Sequence, residues 1–201
     1  MSPVTIPRIG GYQRPAVMDW LTTVDHKKLG ILYLGFTLFF FGVGGIFALL
    51  VRTQLAVGEN TFLTNDAYNQ IFTMHASSML FLFIIPIWAG FGNYFVPLHI
   101  GAYDMAFPRI NALSFWMLPP AAILMFSGFL VDGGAAAGGW TAYTPLSRQA
   151  GMGMDLWILA VLLLGMSSTI GAANFLVTMF RMRAPGMTMF RMPIFTWTML
   201  V

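Results

Sequence analysis

Four apolar runs, at residues 29–51, 71–96, 113–131 and 156–180, dictate what this chain can become. Each is close to or above the roughly 20 residues that an α-helix, rising about 1.5 Å per residue, needs to cross a bilayer. In hydrocarbon every backbone N–H and C=O must be paired within the protein, and a helix meets that demand locally. The expected fold is therefore an all-α integral membrane protein, a multi-pass transmembrane helix bundle. Composition agrees, because only 8% of the 201 residues are charged where a soluble domain carries roughly 25%. A fifth apolar run begins near Pro193 and is cut off at Val201. A helix ending inside a span leaves its last carbonyls unpaired in lipid, so the chain is expected to be part of a longer one.

Two regions follow: a polar N-terminal tail over 1–28 and a transmembrane helical domain over 29–201. The tail holds Pro3, Pro7, Pro15, Arg8, Arg14, Lys27 and Lys28 without an apolar core, so it is not a cleaved signal peptide. Alternating the spans puts Arg8, Arg14, Lys27, Lys28, Arg109, Arg181, Arg183 and Arg191 on one side, eight of the ten basic residues. Arg52 and Arg148 lie on the other. The basic side is expected to be cytoplasmic. Because the basic residues separate spans instead of forming a stripe, they are topology signals, and no nucleic-acid partner is expected. The chain has no cysteine, which excludes disulfides, thiolate metal sites and a Cys nucleophile. The glycine-rich stretch 132–139 lacks a following Gly-Lys-Ser/Thr, so it is no phosphate cradle. The sixteen methionines are scattered and are read as core filling.

Polar groups inside apolar spans demand a reason. Arg52 ends the first run and His75 lies in the outer part of the second, so both are expected near the outer interface on neighbouring helices. A neutral imidazole is a good axial ligand for haem iron, and a nearby guanidinium could hydrogen-bond a polar haem substituent. The plain alternative is a packed, hydrogen-bonded histidine with Arg52 snorkelling to the headgroups. On the inner side stand Asn93, Asp104, Asn111 and Asn174, with Ser167 and Ser168 deeper. These groups could order a file of water with Asp104 at its mouth. Alternatively the amides and hydroxyls are interhelical hydrogen bonds of a kind common in bundles. His26 and His99 are expected to be solvated or interfacial side chains, either of which could feed protons to Asp104.

Several blocks narrow the choice. Trp20-Leu-Thr-Thr-Val-Asp-His-Lys-Lys-Leu-Gly30, Phe91-Gly-Asn-Tyr-Phe-Val-Pro-Leu-His-Ile-Gly101, Asp104-Met-Ala-Phe-Pro-Arg-Ile-Asn111 and Ser114-Phe-Trp-Met-Leu-Pro-Pro120 stand in this order. Gly139-Trp-Thr-Ala-Tyr-Thr-Pro-Leu146 and Arg183-Ala-Pro-Gly-Met-Thr-Met-Phe-Arg-Met-Pro193 follow. Together they resemble the N-terminal part of the catalytic subunit (subunit 1) of haem–copper oxygen reductases of the bacterial cytochrome c oxidase type, over about residues 18–201. The resemblance implies a twelve-helix subunit, of which this chain holds four helices and the start of a fifth. It implies that His75 is one of two axial ligands of a low-spin haem, expected to be haem A, and that Arg52 contacts that haem's formyl group. It gives Asp104, Asn93, Asn111, Asn174, Ser167 and Ser168 to the proton-input path.

The high-spin haem, the copper with its three histidines, the second ligand of the low-spin haem and the end of the proton path are implied to lie beyond residue 201. This segment alone is therefore not expected to reduce O2. Implied partners are a copper-bearing subunit 2, subunit 3, cytochrome c, O2 and the lipid bilayer. The implied location is the cell inner (cytoplasmic) membrane with the N-terminus in the cytoplasm, a mitochondrial inner membrane being less favoured. In quinol-oxidising relatives the donor site uses an Arg, an Asp and a His, and the matching positions here are Val43, Phe47 and Ala67. None can make those hydrogen bonds, which favours cytochrome c as donor. The rivals are a quinol-oxidising member and, from a different class, a non-redox membrane transporter or scaffold fragment.

Overall fold

The computed structural model describes residues 15–149 and 151–201. The first part of the polar tail, including Arg8 and Arg14, lies outside the described residues. Among the described residues all regular structure is helical. Four helices are long and apolar enough to cross a membrane: His26–Gln54, Asn65–Ile100, Pro108–Leu130 and Gly151–Arg181, here the first to fourth spans. A short helix, Ala16–Leu21, precedes them, and another, Ile194–Leu200, follows.

Helix ends are set by caps, not by where hydropathy falls away. The first span starts inside the expected tail, at His26, because the Asp25 carboxylate accepts the Lys27 and Lys28 N–H groups at 2.8 and 3.1 Å. Such a cap satisfies donors that the helix itself leaves unpaired. The second span starts at Asn65, well before its apolar run, with the Thr64 hydroxyl accepting the Ala67 N–H at 3.2 Å. It closes on Gly101, whose φ of 71° lets Ala102 N–H reach back to the Pro97 carbonyl at 2.8 Å. The third span opens on Pro108, where a missing N–H costs nothing.

The second span is not a uniform α-helix. From Ser78 to Ile84 it widens into a π-helix, and the Ile85 N–H bonds the Leu80 carbonyl five residues back. Pro86 follows directly, a residue with no N–H to give.

Glycine brings the first two spans together. A Cβ on Gly30 would stand 3.0 Å from the Gly90 carbonyl oxygen, and one on Gly90 would stand 2.9 Å from Tyr33 Cβ. Small residues that let backbones approach are a common means of helix association in lipid. Leu29, Tyr33, Met74, Leu82, Leu118, Met125, Met154 and Trp157 fill the main core among the four spans. A second apolar cluster, with Val96, Ile100, Met105, Phe175, Met179 and Met192, closes the end of the bundle that holds Asp104, here labelled the inner end and the opposite one, with Arg52, the outer end. The methionines named here bear out their reading as core filling.

The outer glycine-rich stretch is pinned to the second span by side chains. Gln70 accepts the Ala135 N–H at 3.1 Å and donates to the Gly133 carbonyl at 3.3 Å. The Thr73 hydroxyl accepts the Gly139 N–H at 2.9 Å, and Ser77 accepts the Trp157 indole N–H from the fourth span at 2.8 Å.

Candidate functional site

On the outer side His75 is half-buried, and its Nδ1 lies 2.9 Å from the Gly44 carbonyl of the first span. A carbonyl can only accept, so Nδ1 donates here, and in the neutral ring that leaves the lone pair on Nε2. Among the described residues nothing bonds Nε2. An imidazole held by a backbone carbonyl through one nitrogen, with the other nitrogen free, is how metal-ligating histidines are usually oriented. The donor set thus fits a haem iron. Room at Gly44 is tight, since a Cβ there would meet Met79 Sδ at 2.6 Å. Arg52 is exposed and makes no hydrogen bond or ion pair among the described residues. It stands eight residues beyond Gly44 on the first span, or about 12 Å along the helix axis.

On the inner side the expected asparagines do meet. Asn111 Nδ2 donates to Asn93 Oδ1 at 2.5 Å across the second and third spans, and both residues are buried. Asn93 Nδ2 donates to the Ala89 carbonyl at 2.8 Å. Asn111 Oδ1 is buried and has no partner among the described residues. A buried acceptor without a partner is costly, and an ordered water is the usual remedy. One turn deeper, the Ser114 hydroxyl donates to the Asn111 carbonyl at 2.8 Å and lies 3.0 Å from the Tyr33 hydroxyl. Ser167 donates to the Ser114 carbonyl at 2.6 Å from the fourth span. Tyr33, Asn93, Ser167 and Ser168 share a largely apolar cavity of about 460 Å³. Ser168 is exposed and bonds only its own helix, at Gly165. Asn174 is buried, but its amide clamps the Phe107 backbone, accepting the N–H at 2.9 Å and donating to the C=O at 3.3 Å. It holds the inner loop first, and only one lone pair and one N–H remain for water.

His26 departs from expectation. It is 2% exposed, and Nδ1 donates to the Asn93 carbonyl at 2.8 Å. The reason lies four residues along: Pro97 has no N–H, so the Asn93 carbonyl lacks its helical partner and takes the imidazole instead. His99 is half-buried, 3.4 Å from the Thr196 hydroxyl and packed against Phe95 and Phe195.

Asp104 lies in the loop between the second and third spans, its carboxylate accepting the Met105 N–H at 2.7 Å. Burial pushes its pKa up, the Met105 amide and the charge of nearby His26 act against this, and Asp25 adds to the rise. His26 thus lies near Asp104 and bonds the Asn93 carbonyl. Tyr33 and Ser114 are not legible in the sequence as path residues, and His26 is legible there only as a side chain that could feed protons to Asp104. Two signals were available: Ser114 is three residues after Asn111, hence on the same helix face, and Tyr33 is one of two hydroxyl side chains, with Thr37, in the first apolar run.

A four-span helical membrane protein with an oriented imidazole toward one end and a buried polar chain toward the other defines the class. The chain belongs to the family described as cytochrome C and quinol oxidase polypeptide I, which it matches over residues 28–201. Cytochrome c oxidase subunit 1 of Corynebacterium glutamicum is 49% identical over 200 residues, covering 97% of this chain and 34% of that protein. A putative cytochrome c oxidase subunit 1-beta of Streptomyces coelicolor is 50% identical over 188 residues, covering 92% and 33%. A probable subunit 1-beta of Nocardia farcinica is 50% identical over 195 residues, covering 96% and 32%. The chain therefore spans about a third of the length of the curated relatives it matches.

Proposed function

We propose that this chain is the N-terminal part of the catalytic subunit of a bacterial cytochrome c oxidase that reduces O2 to water and pumps protons. The partners are the copper-bearing subunit 2, subunit 3 and cytochrome c, in the cytoplasmic membrane with the N-terminus inside. His75 would hold the low-spin haem, haem A, through Nε2, with Gly44 fixing the ring and Arg52 adding a fixed cation on the outer side. When bound, that haem supplies one-electron transfer; the high-spin haem and copper belong to residues beyond this chain.

The observation that supports the reading best is the buried polar chain on the inner side. Asp104 takes up a proton at the inner surface, held by the Met105 amide and near His26. His26 orients Asn93 by its carbonyl, and the Asn93–Asn111 pair leaves one acceptor free for a water. Ser114, Tyr33 and Ser167 continue the polar run into the cavity lined by Ser168. Moving one charge against the membrane potential costs about 2.3 kcal/mol per 100 mV, so the file must not conduct freely in both directions. Where quinol-oxidising relatives carry their donor site, Val43 and Phe47 are partly buried against the core and Ala67 offers no polar side chain, which favours cytochrome c.

Two variants of the complete oxidase test this. Asp104→Asn should slow turnover and proton uptake at least tenfold with the haem spectrum intact. His75→Ala should abolish the low-spin haem band. Turnover and pumping at the parent rate in the first, or an unchanged spectrum in the second, would remove the corresponding assignment. No haem absorbance in the parent oxidase would favour a transporter or scaffold.

A further inference from the structure

The second span combines two orientations that an unbroken α-helix of the same sequence would not. His75 and Asn93 are eighteen residues apart, five full turns at about 3.6 residues per turn, so an α-helix would carry both on one face. In the structure they part. His75 turns to the first span, 2.9 Å from the Gly44 carbonyl, while the Asn93 amide turns to the third, 2.5 Å from Asn111. Tyr94 marks where the face toward the first span has gone: a Cβ on Gly30 would stand 3.0 Å from its own Cβ. Tyr94 follows His75 by nineteen residues, which in a plain α-helix would swing it about 100° away.

A slip of one residue restores the match, and the stretch Ser78–Ile84 lies between the two halves. A π turn holds one more residue than an α turn, which is how a helix absorbs such a slip. Pro86 supplies a local cause. It has no N–H, and in an α-helix its ring would press on the carbonyl four residues back, that of Leu82.

We propose that Pro86 and the π turn form a positioning device that points His75 and Asn93 of one helix at different neighbours. The proposal rests on the roles given above to these two residues. In the complete oxidase, Pro86→Ala combined with deletion of Ile84, an exposed residue, shortens the stretch by one residue and lets it run as an α-helix. Both faces should stay in place, so the low-spin haem band is unmoved and turnover stays above a third of the parent. Pro86→Ala with Ile84 and Ile85 both deleted rotates the inner half by a further ~100°, and turnover should fall at least tenfold. Loss of the band, or turnover below a third, in the shorter deletion overturns the proposal, as does a longer deletion that falls less than tenfold. Should His75→Ala keep its haem, the haem assignment fails on its own. The melting temperatures of the two deletion variants, the first within a few degrees of the parent and the second well below it, then still decide the register.

Discussion

At the scale of single residues, much of the chemistry comes from prolines that withhold a hydrogen bond. Pro97 frees the Asn93 carbonyl, and that vacancy draws His26 into the bundle beside Asp104. A histidine placed by sequence in a polar approach segment is thereby buried, because the acceptor that buries it is sixty-seven residues away. Asp104 carries a pH signature. Its folded pKa is raised, chiefly by burial, so the stability it adds is present below the unfolded carboxylate pKa and is lost as pH rises through the folded value. At neutral pH the ionised group is a net cost. Asp104→Asn should therefore melt no lower than the parent at pH 7, and the two curves should converge below about pH 3, under the ordinary Asp value. A variant that melted lower at pH 7 would contradict the assigned environment. Slow turnover in a protein that is no less stable would separate a role in proton uptake from one in holding the loop.

At the scale of elements, the outer half of the second span acts as a rack for the loop above it. Thr73 and Ser77 stack one turn apart, Ser77 donating to the Thr73 carbonyl at 2.8 Å while accepting from Trp157. Ser77→Ala leaves the buried indole N–H of Trp157 without an acceptor, which should cost about 1–3 kcal/mol in unfolding measured in detergent. The haem band should hardly move, since His75 is fixed from the first span. The four helices were legible from apolar run length, and the inner asparagines from their placement at span ends. Neither signal revealed the π turn. Pro86 was visible, but a proline in a helix can kink, break or widen it, and the packing on both sides selects among these.

At the scale of the whole molecule, charge asymmetry should orient the bundle in the membrane. Lys27, Lys28, Arg109, Arg181, Arg183 and Arg191 all border the same end, which the positive-inside rule assigns to the cytoplasm. This segment has no cysteine of its own, so a cysteine introduced into it, with labelling read on the peptide that carries it, reports this. A membrane-impermeant maleimide should reach Tyr143→Cys on intact cells and Tyr103→Cys only after permeabilisation, both parent residues being exposed. The reverse pattern would invert the direction of proton entry.

The sequence by itself determined the solvent, the number of spans and the residues able to do chemistry, because apolar run length and rare polar side chains in lipid are local properties. Only the tertiary structure decided which of those residues meet. Asn93 finds Asn111, His75 finds Gly44, and Asn174 is taken up by the Phe107 backbone. Arg52 stands apart. A hydrogen bond depends on helix rotation and depth, and one extra residue in a single turn changes both for everything beyond it.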